Sequence, residues 1–155
     1  MKPDGQEQKF IIIGENIHTT RVVLRKGKLV TDSPDGAEAV RYSDAGGKRR
    51  YLAIPEQVKR TQDYEEGRVK HVKIAIQAAM SGQEPEAGEG MNYLSRMVHR
   101  QVEAGADFLD LNVDEISLKL EEQKSAMQWL VRNGWRDILL LLARRSRILL
   151  PGYVQ

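Results

Sequence analysis

Residues 105–115 read Gly-Ala-Asp-Phe-Leu-Asp-Leu-Asn-Val-Asp-Glu, and their alternation organises the rest of the chain. Successive side chains of a strand leave opposite faces, so Leu109, Leu111 and Val113 point one way and Asp110 and Asn112 the other. One face is apolar and the other polar. Upstream, Met91, Leu94, Val98 and Val102 recur at helical spacing and Gly105 falls where a left-handed C-terminal cap belongs, which predicts a helix over 91–104. Downstream, Ile116, Leu120, Met127, Leu130 and Val131 mark a further helix, and Ile138 to Leu142 reads as a last buried strand.

Toward the N-terminus, Phe10-Ile11-Ile12-Ile13 is a continuous apolar run stopped by Gly14, the pattern of a parallel strand buried on both faces. Val22-Val23-Leu24 and Leu29-Val30 flank Lys26-Gly27-Lys28, a hairpin in which Gly27 supplies positive φ. A second pair, Ala39-Val40-Arg41-Tyr42 and Tyr51-Leu52-Ala53-Ile54, is joined through Asp44-Ala45-Gly46-Gly47. Together these predict an antiparallel β excursion over about 21–54. Pro55 suits the first turn of a helix, and Val69, Val72, Ile76 and Met80 form one apolar helical stripe that Gly67 interrupts. SGQEPEAGEG, residues 81–90, reads as a flexible acidic loop; without a strand before it, its glycines make no phosphate cradle. The order strand, helix, strand, helix, strand is the βαβ pattern of a parallel sheet.

The 155 residues carry 24 Lys plus Arg against 22 Asp plus Glu, a formal charge of +2, with 41% hydrophobic and 30% charged residues. That is enough for one ordinary domain core, and global disorder is excluded. Near-balanced charge and 6% aromatics give neither the field nor the stacking surface of a dedicated nucleic-acid binder. With no Cys there is no disulfide, thiolate nucleophile or zinc-thiolate site, and the cytosol is the expected compartment. Residues 1–9 lack the apolar core of a signal peptide, and the run Ile138 to Ala143 is too short for a membrane span. His71 and His99 lie on expected helices without partners at metal spacing and read as residues of solvated faces.

In α/β barrels and open sheets the ligand sits at the carboxyl ends of the strands. Two such ends stand out: Gly14-Glu15-Asn16-Ile17-His18-Thr19-Thr20-Arg21, and Asp110-Leu111-Asn112-Val113-Asp114-Glu115. They offer carboxylates, amides, an imidazole and a guanidinium without metal-ligand spacing, a set suited to holding a polar heterocycle by hydrogen bonds. Each residue also has a plainer reading. Asp110 and Asn112 suit a loop cap, Asp114 the N-cap of the following helix, Glu15 an acceptor for backbone amides, and His18 a hydrogen-bonded turn residue.

GENIHTTR after an apolar strand, and GADFLDLNVDE followed by SAMQWL, resemble the pterin-binding domain of the methyltetrahydrofolate:corrinoid methyltransferases and cobalamin-dependent methionine synthase. The resemblance covers roughly residues 10–21 and 91–132, about a third of the chain. In that family Gly-Glu-Arg-x-Asn closes the first barrel strand, Asp-x-Asn-x-Asp closes the second, and Ser-Ala-Met lies in the next helix. Gly14, Glu15, Asp110, Asn112, Asp114, Ser125, Ala126 and Met127 match directly. Asn16 stands where the family usually has Arg, and His18 where it usually has Asn. Thr20 and Arg21 fall near family positions that contact folate outside the pterin ring. Dihydropteroate synthases share this type of fold, but their first-strand Asn-Val-Thr-Pro-Asp-Ser signature is absent.

The resemblance implies the N-terminal part, residues 1–132, of a dihydropteroate synthase-like (β/α)8 TIM barrel, with the β excursion inserted after its first strand. It further implies transfer of a methyl group from methyltetrahydrofolate, or a related methyl-pterin, to a corrinoid held by a partner protein. Glu15, Asn16, His18, Asp110, Asn112 and Asp114 would line one side of the pterin pocket, with Thr20 and Arg21 beside it. The family's third-strand Asp-Ser has no counterpart, since Ile138 to Leu142 is followed by Ala143-Arg144-Arg145-Ser146. A complete barrel takes about 250 residues. The Arg- and Leu-rich segment 133–155 does not match the family, so a truncated product with its tail read in a shifted frame is the expectation, together with self-association and no activity alone. A dihydropteroate synthase-like enzyme and a non-catalytic protein-binding module are the alternatives.

Overall fold

The computed structural model describes residues 10–133; the expected strand at Ile138 to Leu142 and the segment 134–155 lie outside the described residues. The two motif-bearing stretches meet in the middle of the molecule. Strand β1 (Ile13–His18) and a second strand at Phe108–Asn112 pair in parallel, with Ile13 opposite Phe108, Gly14 opposite Leu109, Ile17 opposite Leu111 and His18 opposite Asn112. The register shifts between Gly14 and Ile17.

Between them the chain forms β2 (Val23–Leu24), β3 (Val30–Asp32), β4 (Glu38–Ser43), β5 (Arg49–Ala53), α1 (Glu56–Lys59), α2 (Gln62–Glu65), β6 (Arg68–Val69), α3 (His71–Ser81) and α4 (Glu86–Glu103). The Phe108–Asn112 strand is therefore β7, and α5 (Leu120–Asn133) follows it. The expected excursion is present as an antiparallel sheet in the order β3-β4-β5. Its β4–β5 turn follows the expected chemistry: the Asp44 carboxylate accepts from the amides of Gly46 and Lys48, and Gly47 takes φ 81°. The first hairpin differs from expectation. β2 pairs with β6 rather than β3, and Gly27 has no positive φ; its amide instead donates to the Leu24 carbonyl at 2.9 Å.

Three other expectations need correcting. Phe10 to Ile13 is not a doubly buried strand: β1 starts only at Ile13, and these side chains are 50–81% exposed, because among the described residues only one face of the β1–β7 pair is covered. Val69 belongs to β6, and the helix begins at His71 after Gly67 turns the chain with φ 82°. The acidic segment 81–90 is half helix, since α4 starts at Glu86 and runs unbroken to Glu103, capped by Gly105 at φ 94° as the spacing predicts.

α4 is the organising helix. It packs on α3, β1 and β5. Gly90 allows the α3 contact: a Cβ there would stand 2.5 Å from the Ala75 carbonyl oxygen and 2.8 Å from the Ala79 amide nitrogen. The core includes Ile17, Val40, Leu52, Val69, Val72, Ile74, Ile76, Leu94, Val98 and Leu130, drawn from all three sheets and the long helices. The fold is mixed α/β, and among the described residues no barrel closes.

Candidate binding site at the strand ends

Gly14 and Asn16 face α4. A Cβ on Gly14 would meet the Gln101 side chain, and the Asn16 amide donates to the Met97 carbonyl at 2.6 Å. Asn16, expected at the ligand, is buried in this structure and ties the strand to the helix through its amide. Alternation sends Glu15 to the opposite, exposed face. Leu109, partner of Gly14, comes within 3.1 Å of the same built Cβ, so Asp110 also leaves toward the open face and is exposed.

Just beyond the register shift, His18 Nε2 lies 3.0 Å from Asp110 Oδ2. The imidazole is 19% exposed with Nε2 itself buried, and the carboxylate is 55% exposed, so it is the Asp110 side of the pair that faces the surface. Beside it Asn112 is tied on both sides. Its amide donates to Asp114 Oδ2 at 2.9 Å, and its Oδ1 accepts from the Asp114 backbone amide at 3.1 Å. Asp114 is thus held by its neighbour two residues back, and does not cap a helix, since α5 begins only at Leu120. Ile116, expected to start that helix, is a buried loop residue.

Thr19, which motif reading passed over, locks the two strand ends together. It is fully buried; its amide donates to the Asn112 carbonyl at 2.9 Å, and its hydroxyl accepts from the Glu115 amide at 3.1 Å. Its place immediately after His18 in the first motif was the available signal. Thr20 is exposed. Arg21 folds back so that Nη1 donates to the Glu15 carbonyl at 3.2 Å, which sets a positive charge beside the open face.

Lys70 joins the approach to α3 to the second motif, bridging Asp63 at 2.6 Å and Glu115. Burial works against the ammonium, but its hydrogen bonds to Asp63 and Glu115 outweigh that and hold its pKa above the usual lysine value. The Asp63 carboxyl is held below its ordinary value by Lys70 first and Arg68 second.

The structure thus brings Glu15, His18, Asp110, Asn112, Asp114 and, through its guanidinium, Arg21 to one end of a parallel strand pair, and turns Asn16 away. Among the described residues no group of three or more His, Asp or Glu is arranged to hold a metal ion. The exposed carboxylates can accept hydrogen bonds from a ligand's N–H groups, with the imidazole of His18 set behind Asp110. Comparison with known protein families, with functionally described proteins and with solved structures finds no match to this chain.

Proposed function

We propose that the β1–β7 strand ends form one wall of a pterin-binding site, as in the first part of a dihydropteroate synthase-like (β/α)8 barrel, serving methyl transfer from methyltetrahydrofolate to a corrinoid protein. The observation that carries this reading is the parallel pairing of β1 with β7, which puts Glu15, His18 and Asp110 on a common open face although nearly a hundred residues separate the motifs. A pterin presents a flat edge of N–H donors and ring acceptors, and exposed carboxylates backed by an imidazole suit that edge.

Breaking the N5–methyl bond leaves an electron pair on a poor leaving nitrogen, so a proton or hydrogen bond must reach N5 as the bond breaks. The His18–Asp110 pair is the group best placed to hold such a proton near a bound ring. Asn112 and Thr19 would act indirectly, by fixing Asp114 and the strand ends. The corrinoid's cobalt would receive the methyl group from outside this wall, on a partner protein.

Fluorescence of Trp129 on α5, followed while methyltetrahydrofolate is added, tests the reading. Saturable quenching that Asp110→Ala abolishes is the expected result; an unresponsive folded protein, or an Asp110→Ala response equal to the parent's, overturns it. The openness of the Glu15–Asp110 face favours a second reading, in which the ligand binds without turnover. Demethylation of methyltetrahydrofolate with reduced cobalamin separates the two.

A further inference from the structure

We infer that a second site, a cavity of about 560 Å³ between the β4–β5 hairpin and α4, binds a small molecule carrying two or more phosphate groups. Four arginines line it: Arg41 from β4, Arg49 from β5, and Arg96 and Arg100 from α4, the last two four residues apart and therefore on one helix face. Tyr42 and Tyr93, packed edge to face with ring centres 4.9 Å apart, form its wall.

Charge pairing elsewhere in the chain makes this cluster unusual. Arg25 is paired with Glu38, Arg50 with both oxygens of Glu89, and Arg68 with Asp63. Around the cavity, by contrast, one lining arginine has a carboxylate partner among the described residues, Arg96 with Glu103 at 3.4 Å, Glu103 itself being 63% exposed; the carboxylate that meets the Tyr42 hydroxyl, Glu89, is taken up by Arg50. Arg41 donates to the Lys28 carbonyl, which carries no net charge. The side chains of Arg49 and Arg100 make no hydrogen bond or ion pair with the described residues. Four like charges gathered in one concavity repel one another unless an anion joins them.

Planar guanidinium forks match phosphate oxygens, and groups entering from two separate elements suit an anion longer than one phosphate. The volume falls within the range of small-molecule sites. A local concavity on a chain of formal charge +2 favours a compact polyanion over a nucleic-acid strand. The site shares no lining residue with the His18–Asp110 face, and the inference stands independently of the pterin reading.

Calorimetric titration with inorganic tripolyphosphate in moderate salt tests it. The parent protein is expected to give one saturable site. The double variant Arg49→Ala/Arg100→Ala, which removes side chains without structural partners, is expected to bind at least about tenfold more weakly while keeping its melting temperature. Arg96→Ala should weaken binding as well, whereas Arg132→Ala, on the exposed face of α5, and Asp110→Ala should leave it unchanged. Absence of saturable binding to the parent protein overturns the inference. So does equal affinity in parent and double variant, or retention of long single-stranded RNA without tripolyphosphate binding.

Discussion

Behind the strand-end face, the imidazole of His71 is buried against Tyr93, with Nδ1 2.7 Å from the tyrosine hydroxyl. Sequence spacing placed His71 on a solvated helix face; it turns inward because the helix starts at His71 and its first turn packs under α4. Burial, then the Arg21 charge, push its pKa down from 6.5 to about 4. The native imidazole therefore stays neutral at pH values where the unfolded chain takes up a proton. This contribution to stability is complete above about pH 6.5 and is lost as the pH falls toward 4, a change of about 3 kcal/mol. Urea unfolding at pH 7, 5.5 and 4.5 should show His71→Gln losing less stability on acidification than the parent; parallel losses would contradict the assignment. Glu89 is a second residue the sequence hid. It sits in a stretch that composition marks as loop, yet it accepts from Tyr42 and from both Nε and Nη2 of Arg50. Glu89→Gln weakens a charge-assisted clamp between sheet and helix and should cost about 1–2 kcal/mol in denaturant unfolding.

Among the elements, α4 and β7 were legible because their signals are local: apolar residues at fixed spacing, alternation, and a glycine at the cap. The start of α4 was not, since Pro85, Gly88 and Gly90 mimic a loop, whereas the helix needs Gly90 small to cross α3. Replacement by alanine, which ordinarily favours a helix, should here destabilise by about 1–3 kcal/mol, because the built Cβ meets backbone atoms that cannot swing aside. An unchanged melting temperature for Gly90→Ala would show that the helices separate freely. The partnering of β2 with β6 was equally hidden, because pairing across more than forty residues leaves no local pattern. The apolar lead-in Phe10 to Ile13 shows the converse: a buried-strand composition whose burial depends on what covers the far face of β1.

At the scale of the whole molecule, the sequence disclosed the α/β class and the two motifs, and the structure supplies their adjacency. Glu15, His18, Asp110, Asn112 and Asp114 were recognisable as strand-end polar groups; that Asn16 leaves them for α4 and Thr19 fastens them required coordinates, since a register shift lies within the first motif. Phe10, Ile11, Ile12, Ile13 and Phe108 form an exposed apolar border to the same strand pair. Such a border favours self-association. Light scattering should give a mean mass above that of one chain, lowered by Ile11→Lys/Phe108→Lys; a parent protein that stays monomeric at micromolar concentration would contradict this. Amide chemical-shift mapping with methyltetrahydrofolate tests the central claim most directly. Shifts should concentrate at Glu15, His18 and 110–114 and disappear in Asp110→Ala; shifts confined to the arginine-lined cavity, or none at saturating ligand, would contradict a pterin site at the strand ends.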